Sequence, residues 1–241
     1  TGSRRAAEVA QLYVRRVTPS KVDHPRLKLC GFERVELDPG ETARVRLGIG
    51  PDAFTHWDVR TNRFVVEPGG FEILVGASST DVRLSDRWDV VGDPLPPRDL
   101  RRRTHARDFD AQQGVRLVPA SRLAGDAVQG ATGGWIGFHD VDVGALAATE
   151  LVAVVGSDRG EVLVVRLDDP VNGPMLARLY VPRTSGPYAW AEVHTALTTD
   201  VERRAVRDLY LVFGGPARIA DLWCEGSEPG DVRRPARPGS P

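Results

Sequence analysis

The chain predicts an all-β protein made of two β-sandwiches in tandem. Three observations carry this. First, Ala43, Val45, Leu47 and Ile49 alternate with Arg44 and Arg46, and Phe71, Ile73 and Val75 repeat the same period of two, the mark of strands with one buried face. Second, Asp38-Pro39-Gly40 and Pro68-Gly69-Gly70 punctuate those runs; proline presets φ and glycine accepts a positive φ. Third, the second half repeats the pattern in short apolar runs at Leu151–Val155, Glu161–Leu167, Met175–Val181 and Asp208–Phe213. Turn signals at Asp168-Asp169-Pro170 and Val171-Asn172-Gly173-Pro174, and Gly214-Gly215 after the last run, separate them.

Taken in order, Val9–Val14 reads as the first strand, although Ala6, Ala7, Val9, Ala10 and Tyr13 also fit one face of a helix. The alternating runs over Thr42–Ile49 and Phe71–Val75 follow. The run from Gly92 to Arg107 is stiffened by Pro94, Pro96 and Pro97 and solvated by arginine, which marks a boundary. The division is a sandwich over 1–92, a Pro/Arg-rich linker over 93–107, a jelly-roll sandwich over 108–226 and a disordered tail over 227–241.

The composition bounds what this pair of sandwiches does. A hydrophobic content of 41% suffices for ordinary cores. The formal net charge of −1 supplies no field for nucleic acid or a membrane surface, and no apolar run is long enough to span a bilayer. Lys21 and Lys28 are the only lysines, so arginine carries the positive charge; a GC-rich genome accounts for this, and recognition of acidic sugars or phosphate is the functional alternative. The triplet Arg101-Arg102-Arg103 reads as solvated linker charge rather than a binding patch. Cys30 and Cys224 fall in different halves, so a bridge between them is not expected. No basic-then-apolar leader opens the chain, which leaves the compartment open between secreted and cytoplasmic. Thr1 as first residue and Met175 as sole methionine read as a fragment.

Catalytic motifs are absent: there is no Gly-x-Ser-x-Gly, no His-Glu-x-x-His and no phosphate loop. Asp52, His56, Asp86 and Asp168 lie beside turn residues, where capping and solvation explain them. In His139-Asp140-Val141-Asp142, strand alternation puts His139 and Val141 on one face and the two aspartates on the other, so the cluster reads as solvated edge residues rather than a metal site.

The wording of the first half resembles the fibronectin type III-like domain that closes family 3 glycoside hydrolases, the β-glucosidases and β-xylosidases. The matching pieces are a strand over Gly31–Val35, the turn Leu37–Glu41, a strand over Thr42–Ile49 and a hairpin over Val66–Gly76, and the resemblance implies a further strand before Thr1-Gly2. The second half resembles a family 6 carbohydrate-binding module, through Phe109-Asp110-Ala111-Gln112, Trp135-Ile136-Gly137-Phe138, Val141-Asp142-Val143-Gly144, Val164–Pro170 with Gly173-Pro174, Tyr188-Ala189-Trp190 and Asp208–Phe213. The resemblance implies the non-catalytic C-terminal region of a β-glycosidase, supporting catalytic domains and binding a β-linked glycan or polysaccharide.

Sugar binding needs aromatic faces for pyranose C–H bonds and polar groups for the hydroxyls. Tyr188, Trp135 and Trp190 are the candidate faces, with Phe138 a further aromatic; Tyr188 follows Gly186-Pro187 and so sits on a turn, whereas Trp135 and Trp190 also suit a sandwich core. Set against the family pattern, Gln129 stands where the first stacking aromatic belongs, and Ile219 or Ala220 where an asparagine caps the sugar. The family also holds a structural calcium, for which Asp110, Gln112 and Asp221 match the ligand positions, with one carboxylate replaced by an amide. The cofactor expectation is therefore none, with that structural calcium as the one candidate.

Overall fold

The computed structural model describes residues 3–20, 22–92, 94–123, 125–144, 149–198 and 206–226. They form two compact units, Thr1–Pro96 and Pro97–Pro241. The tail expected over 227–241 lies outside the described residues.

In the first unit, β1 (Ala6–Arg16), β2 (Lys28–Leu37), β5 (Gly69–Gly76) and β6 (Val82–Val90) make an antiparallel sheet in the order β2-β1-β5-β6. β3 (Thr55–Asp58) and β4 (Arg63–Val66) form a separate two-stranded ribbon. The strand alternative for Ala6–Tyr13 is the one the chain takes, because Leu12 and Val14 alternate into a core with Ala53, Phe71 and Ile73. Two expectations are corrected. Residues 42–49 form no strand: Val45, Leu47 and Ile49 keep their period-two burial, and Leu47 and Ile49 pack on the core, but the backbone joins no ladder among the described residues. Alternation records which side chains are buried, not which backbone pairs. Nor do residues 66–76 form a hairpin. Val66 ends the ribbon, and Gly69, at φ +150°, starts a strand that pairs with β1 and β6. Gly70 there accepts from Val17 N–H at 2.9 Å and donates to Thr18 Oγ1 at 2.7 Å.

In the second unit, one sheet path runs β12-β11-β14-β9-β15-β10-β13. Its strands are β9 (Asp126–Asp142), β10 (Thr149–Gly156), β11 (Glu161–Leu167), β12 (Met175–Val181), β13 (Ala191–Ala196), β14 (Val206–Phe213) and β15 (Ala217–Gly226). β7 (Thr104–His105) adds to β15 and β8 (Ala111–Pro119) to β9. β9 serves two neighbours in turn: Val128–Gly130 pair with β15, and residues 135–142 pair with β14. The corner between them is built on glycine. Gly114 and Gly133 have positive φ, and a Cβ on Gly134 would lie 2.6 Å from the Gly114 carbonyl oxygen. The strands close on a core of Ile136, Phe138, Leu163, Leu209, Leu211 and Phe213, none more than 1% exposed. Each such side chain contributes roughly 1.5–3 kcal/mol of burial.

The stretch expected as a linker over 93–107 belongs, from Pro97 onward, to this second unit. Leu100 and Ala106 are fully buried in its core, and Arg98 exchanges backbone hydrogen bonds with Asp140 and Asp142. Two arginines of the triplet are engaged: Arg101 with Asp99, and Arg103 with Asp221 and the Trp223 ring. The arginines that signalled a linker here form ion pairs within the second unit. Neither Cys30 nor Cys224 is in a disulfide, and Cys224 is buried in the second core.

Candidate functional site

The residues singled out for sugar contact gather unevenly. Strand register sets a row across four strands: Arg116 on β8 faces Gln129 on β9, which faces Arg218 on β15, which faces Gly156 on β10. Gln129 is not free to stack or to bond at will, since its Oε1 accepts from Arg116 Nε at 3.2 Å and Nη2 at 2.9 Å.

Arg218 is the hub that sequence reading missed. It is 7% exposed and reaches over Gly156 into the segment 184–190. Its Nη1 donates to Pro187 O, and its Nη2 donates to Gly186 O at 2.9 Å and to Thr184 Oγ1 at 3.4 Å. Its guanidinium also lies 5.2 Å from the centre of the Trp190 ring. Glycine at 156 makes room, because a Cβ there would come within 3.0 Å of Arg218 Nη2 and 2.8 Å of Ala189 O. A lone arginine in a strand carries no sequence signal; only the register brings it opposite Gln129 and under the loop.

Trp190 is half-buried and structural: its indole N–H donates to Ala120 O at 2.9 Å, which ties the β8–β9 turn to the 184–190 segment. Tyr188, two residues before it, is 42% exposed and carries the Arg122 guanidinium 5.9 Å from its ring centre. The backbone on its N-terminal side is pinned by Arg218 and on its C-terminal side by Trp190, so an exposed aromatic is held on a fixed support. Gly186, at φ +114°, shapes the turn that presents it.

Trp135 stands elsewhere. It lies beyond the 131–134 corner, on the part of β9 that pairs with β14, and meets Tyr210 edge-on at 5.3 Å. Phe138 is fully buried in the core. Of the two positions considered for the capping asparagine, Ile219 is fully buried in the core and Ala220 is half-buried at a register shift between β15 and β10.

Two of the three calcium-position residues, Asp110 and Asp221, have other partners. Asp110 Oδ2 accepts from Arg98 Nη2 at 3.0 Å and from His139 N–H at 2.8 Å. Asp221 is bridged by Arg103 Nη2 and His105 Nδ1, each at 2.6 Å, and Gln112 is exposed on β8. Arg98 itself is 4% exposed and lies over the Phe138 ring at 5.1 Å. The His139–Asp142 cluster is not a solvated edge: Asp140 takes a positive φ of 53°, which breaks the alternation, and His139 Nδ1 lies 3.0 Å from Asp208 Oδ2.

The fold is thus a pair of all-β units whose second member carries a glycine-cornered jelly roll with one presented aromatic. Residues 8–79 match the family described as a fibronectin type III-like domain, and residues 105–224 match the family 6 carbohydrate binding module. The chain is a fibronectin type III-like domain followed by a family 6 carbohydrate-binding module, an arrangement that resembles the C-terminal part of a family 3 glycoside hydrolase. Among curated relatives, the beta-glucosidase cel3A of Pyricularia oryzae is 45% identical over 85 residues, 35% of this chain and 10% of that protein. The xylan 1,4-beta-xylosidase of Xylanibacter ruminicola is 38% identical over 81 residues, 34% of this chain and 9% of that protein. The chain therefore spans about a tenth of the length of these relatives. A family 43 arabinoxylan arabinofuranohydrolase from Bacillus subtilis, solved with cellotetraose, shares the fold over 90% of this chain and 52% of its own, with a TM-score of 0.51 and 16% identity.

Proposed function

We propose that the second unit binds a β-linked glycan weakly through one stacking face, Tyr188, and that the first unit supports the catalytic domains of a larger β-glycosidase. The observation that carries the first part is the presentation of Tyr188: it is 42% exposed, with Arg122 over its ring, while Arg218 and Trp190 fix its backbone on both sides. A preorganised ring costs little entropy to engage a sugar face. The nearby row of Arg116 and Gln129 supplies donors for hydroxyls. The similarity to a beta-glucosidase and a xylan beta-xylosidase supports the second part, as do apolar side chains left open on the first unit: Leu29 and Phe32 on β2, Trp57 and Phe64 on the ribbon, Leu84 and Trp88 on β6.

With one face in place of two, the affinity expected is a dissociation constant on the order of 0.1–1 mM, about −4 to −5.5 kcal/mol. Isothermal titration with xylan, laminarin and cello-oligosaccharides tests this, and Tyr188→Ala should weaken any binding tenfold or more. The competing reading is a structural pair with no sugar affinity. It is favoured by Gln129 being held by Arg116 and by Ile219 lying in the core where a polar cap would be needed. No heat with any glycan decides for it. In either reading the ion pairs of Asp110 and Asp221 supply cationic partners where a calcium ion would stand.

A further inference from the structure

One group of side chains in the first unit has no role in anything described so far. His24 lies in the connection between β1 and β2, His56 on β3, and Glu67 directly after β4. One ligand atom from each lies within 4.8 Å of the other two, and among the described residues no other group of three His, Cys, Asp or Glu side chains does this. His24 Nε2 is 3.2 Å from Glu67 Oε2, and the two imidazoles meet edge-on with centres 5.0 Å apart. His56 sits beside a turn, but solvation does not explain it: both of its ring nitrogens are buried and neither has a hydrogen-bond partner. A buried imidazole with no partner is costly unless something else satisfies it.

We propose that His24, His56 and Glu67 form a divalent transition-metal site, with Zn2+ the best fit. The donor set is two imidazoles and one carboxylate, which suits Zn2+ and leaves a fourth position for water. Ligands at about 2.1 Å around a tetrahedral centre stand roughly 3.4 Å apart, the spacing His24 and Glu67 already have. The outer shell is in place: Ser20 Oγ donates to Glu67 Oε2 at 2.7 Å, and Arg16 Nη2 lies 3.3 Å from Oε1, so the carboxylate is oriented while its charge is not fully spent. Arg60 is drawn off by its own ion pair with Asp58 at 2.8 Å. The bound ion joins the β1–β2 connection to the β3–β4 ribbon, two segments that no strand pairing links among the described residues.

The test uses the whole 241-residue chain, stripped with EDTA and desalted. Titration with Zn2+ against a chromophoric chelator should show one ion per chain bound more tightly than about 1 μM, and the unfolding temperature of the first unit should rise with Zn2+. His56→Gln and Glu67→Gln should each weaken binding at least tenfold, while a variant lacking His105, His139 and His194 should bind as before. Should the site variants unfold, zinc X-ray absorption of the unaltered chain reads the same point: two imidazole nitrogens and one or two oxygens at about 2.0–2.2 Å. Binding weaker than about 100 μM, binding indifferent to His24 and His56, or a spectrum without two imidazoles overturns the proposal.

Discussion

Replacing Arg218 with methionine removes the side chain that holds the Tyr188 segment while keeping most of its apolar stem. The loss can be sized from its contacts. The two donations to Gly186 O and Pro187 O are charge-assisted, each worth about 1.5–3 kcal/mol when buried, and the stacking on Trp190 adds about 1 kcal/mol. Against this stands the cost of having buried a guanidinium at all, several kcal/mol, which methionine does not incur. The net destabilisation expected is about 2–4 kcal/mol, felt first as local opening of residues 184–190 rather than global unfolding. Urea denaturation of the second unit's transition measures the global part, and amide hydrogen exchange at Gly186 and Ala189 measures the local part. Arg218→Lys should recover less than half, because an ammonium cannot fork between two carbonyls. A change under 0.5 kcal/mol, with exchange at those amides unaltered, would refute the role assigned to Arg218.

Three further outcomes follow from the same structure. Gly130→Ala places a Cβ 2.3–2.6 Å from three ring carbons of Phe213, a fully packed core ring, and should cost about 2–3 kcal/mol in the unfolding transition of the second unit. Asp169 accepts from the Asn172 and Val171 amides at 2.6 and 2.8 Å, and these bonds hold its carboxyl below the ordinary value. A depressed pKa contributes stability that is present above the unfolded value and is lost as pH falls through the folded one. Asp169→Ala should therefore be less stable than the parent at pH 7, and the two should converge below about pH 4. Because Arg98 and Arg103 occupy the Asp110 and Asp221 carboxylates, millimolar calcium or EDTA should leave the melting temperature of the second unit unchanged; a calcium-dependent rise would show that an ion displaces those arginines.

Much of the architecture was legible because burial has a period. Glu161–Leu167 and Met175–Val181 were marked by turn residues on both sides, and the strands have those same bounds. What alternation does not encode is the partner of a backbone. Residues 42–49 alternate as well as any strand here, yet they contribute side chains to the core and no ladder. The boundary misled for a different reason: proline and arginine mark solvated linkers on average, but Arg98 is 4% exposed because Asp110 neutralises it and Phe138 lies beneath it. The candidate site was half legible. Tyr188 was visible from its turn, whereas Arg218 became visible only when β9 and β15 set it beside Gln129. His24, His56 and Glu67 come from three separate segments, so no spacing could have announced them.

The central claim is that the second unit is a working glycan module resting on a single ring. Isothermal titration of the intact chain against xylan, laminarin and cello-oligosaccharides, run beside Tyr188→Ala, tests it most directly. The account predicts heat with at least one β-glycan, at a dissociation constant on the order of 0.1–1 mM, and its loss in the variant. No heat with any of them, or binding that Tyr188→Ala leaves intact, would contradict it.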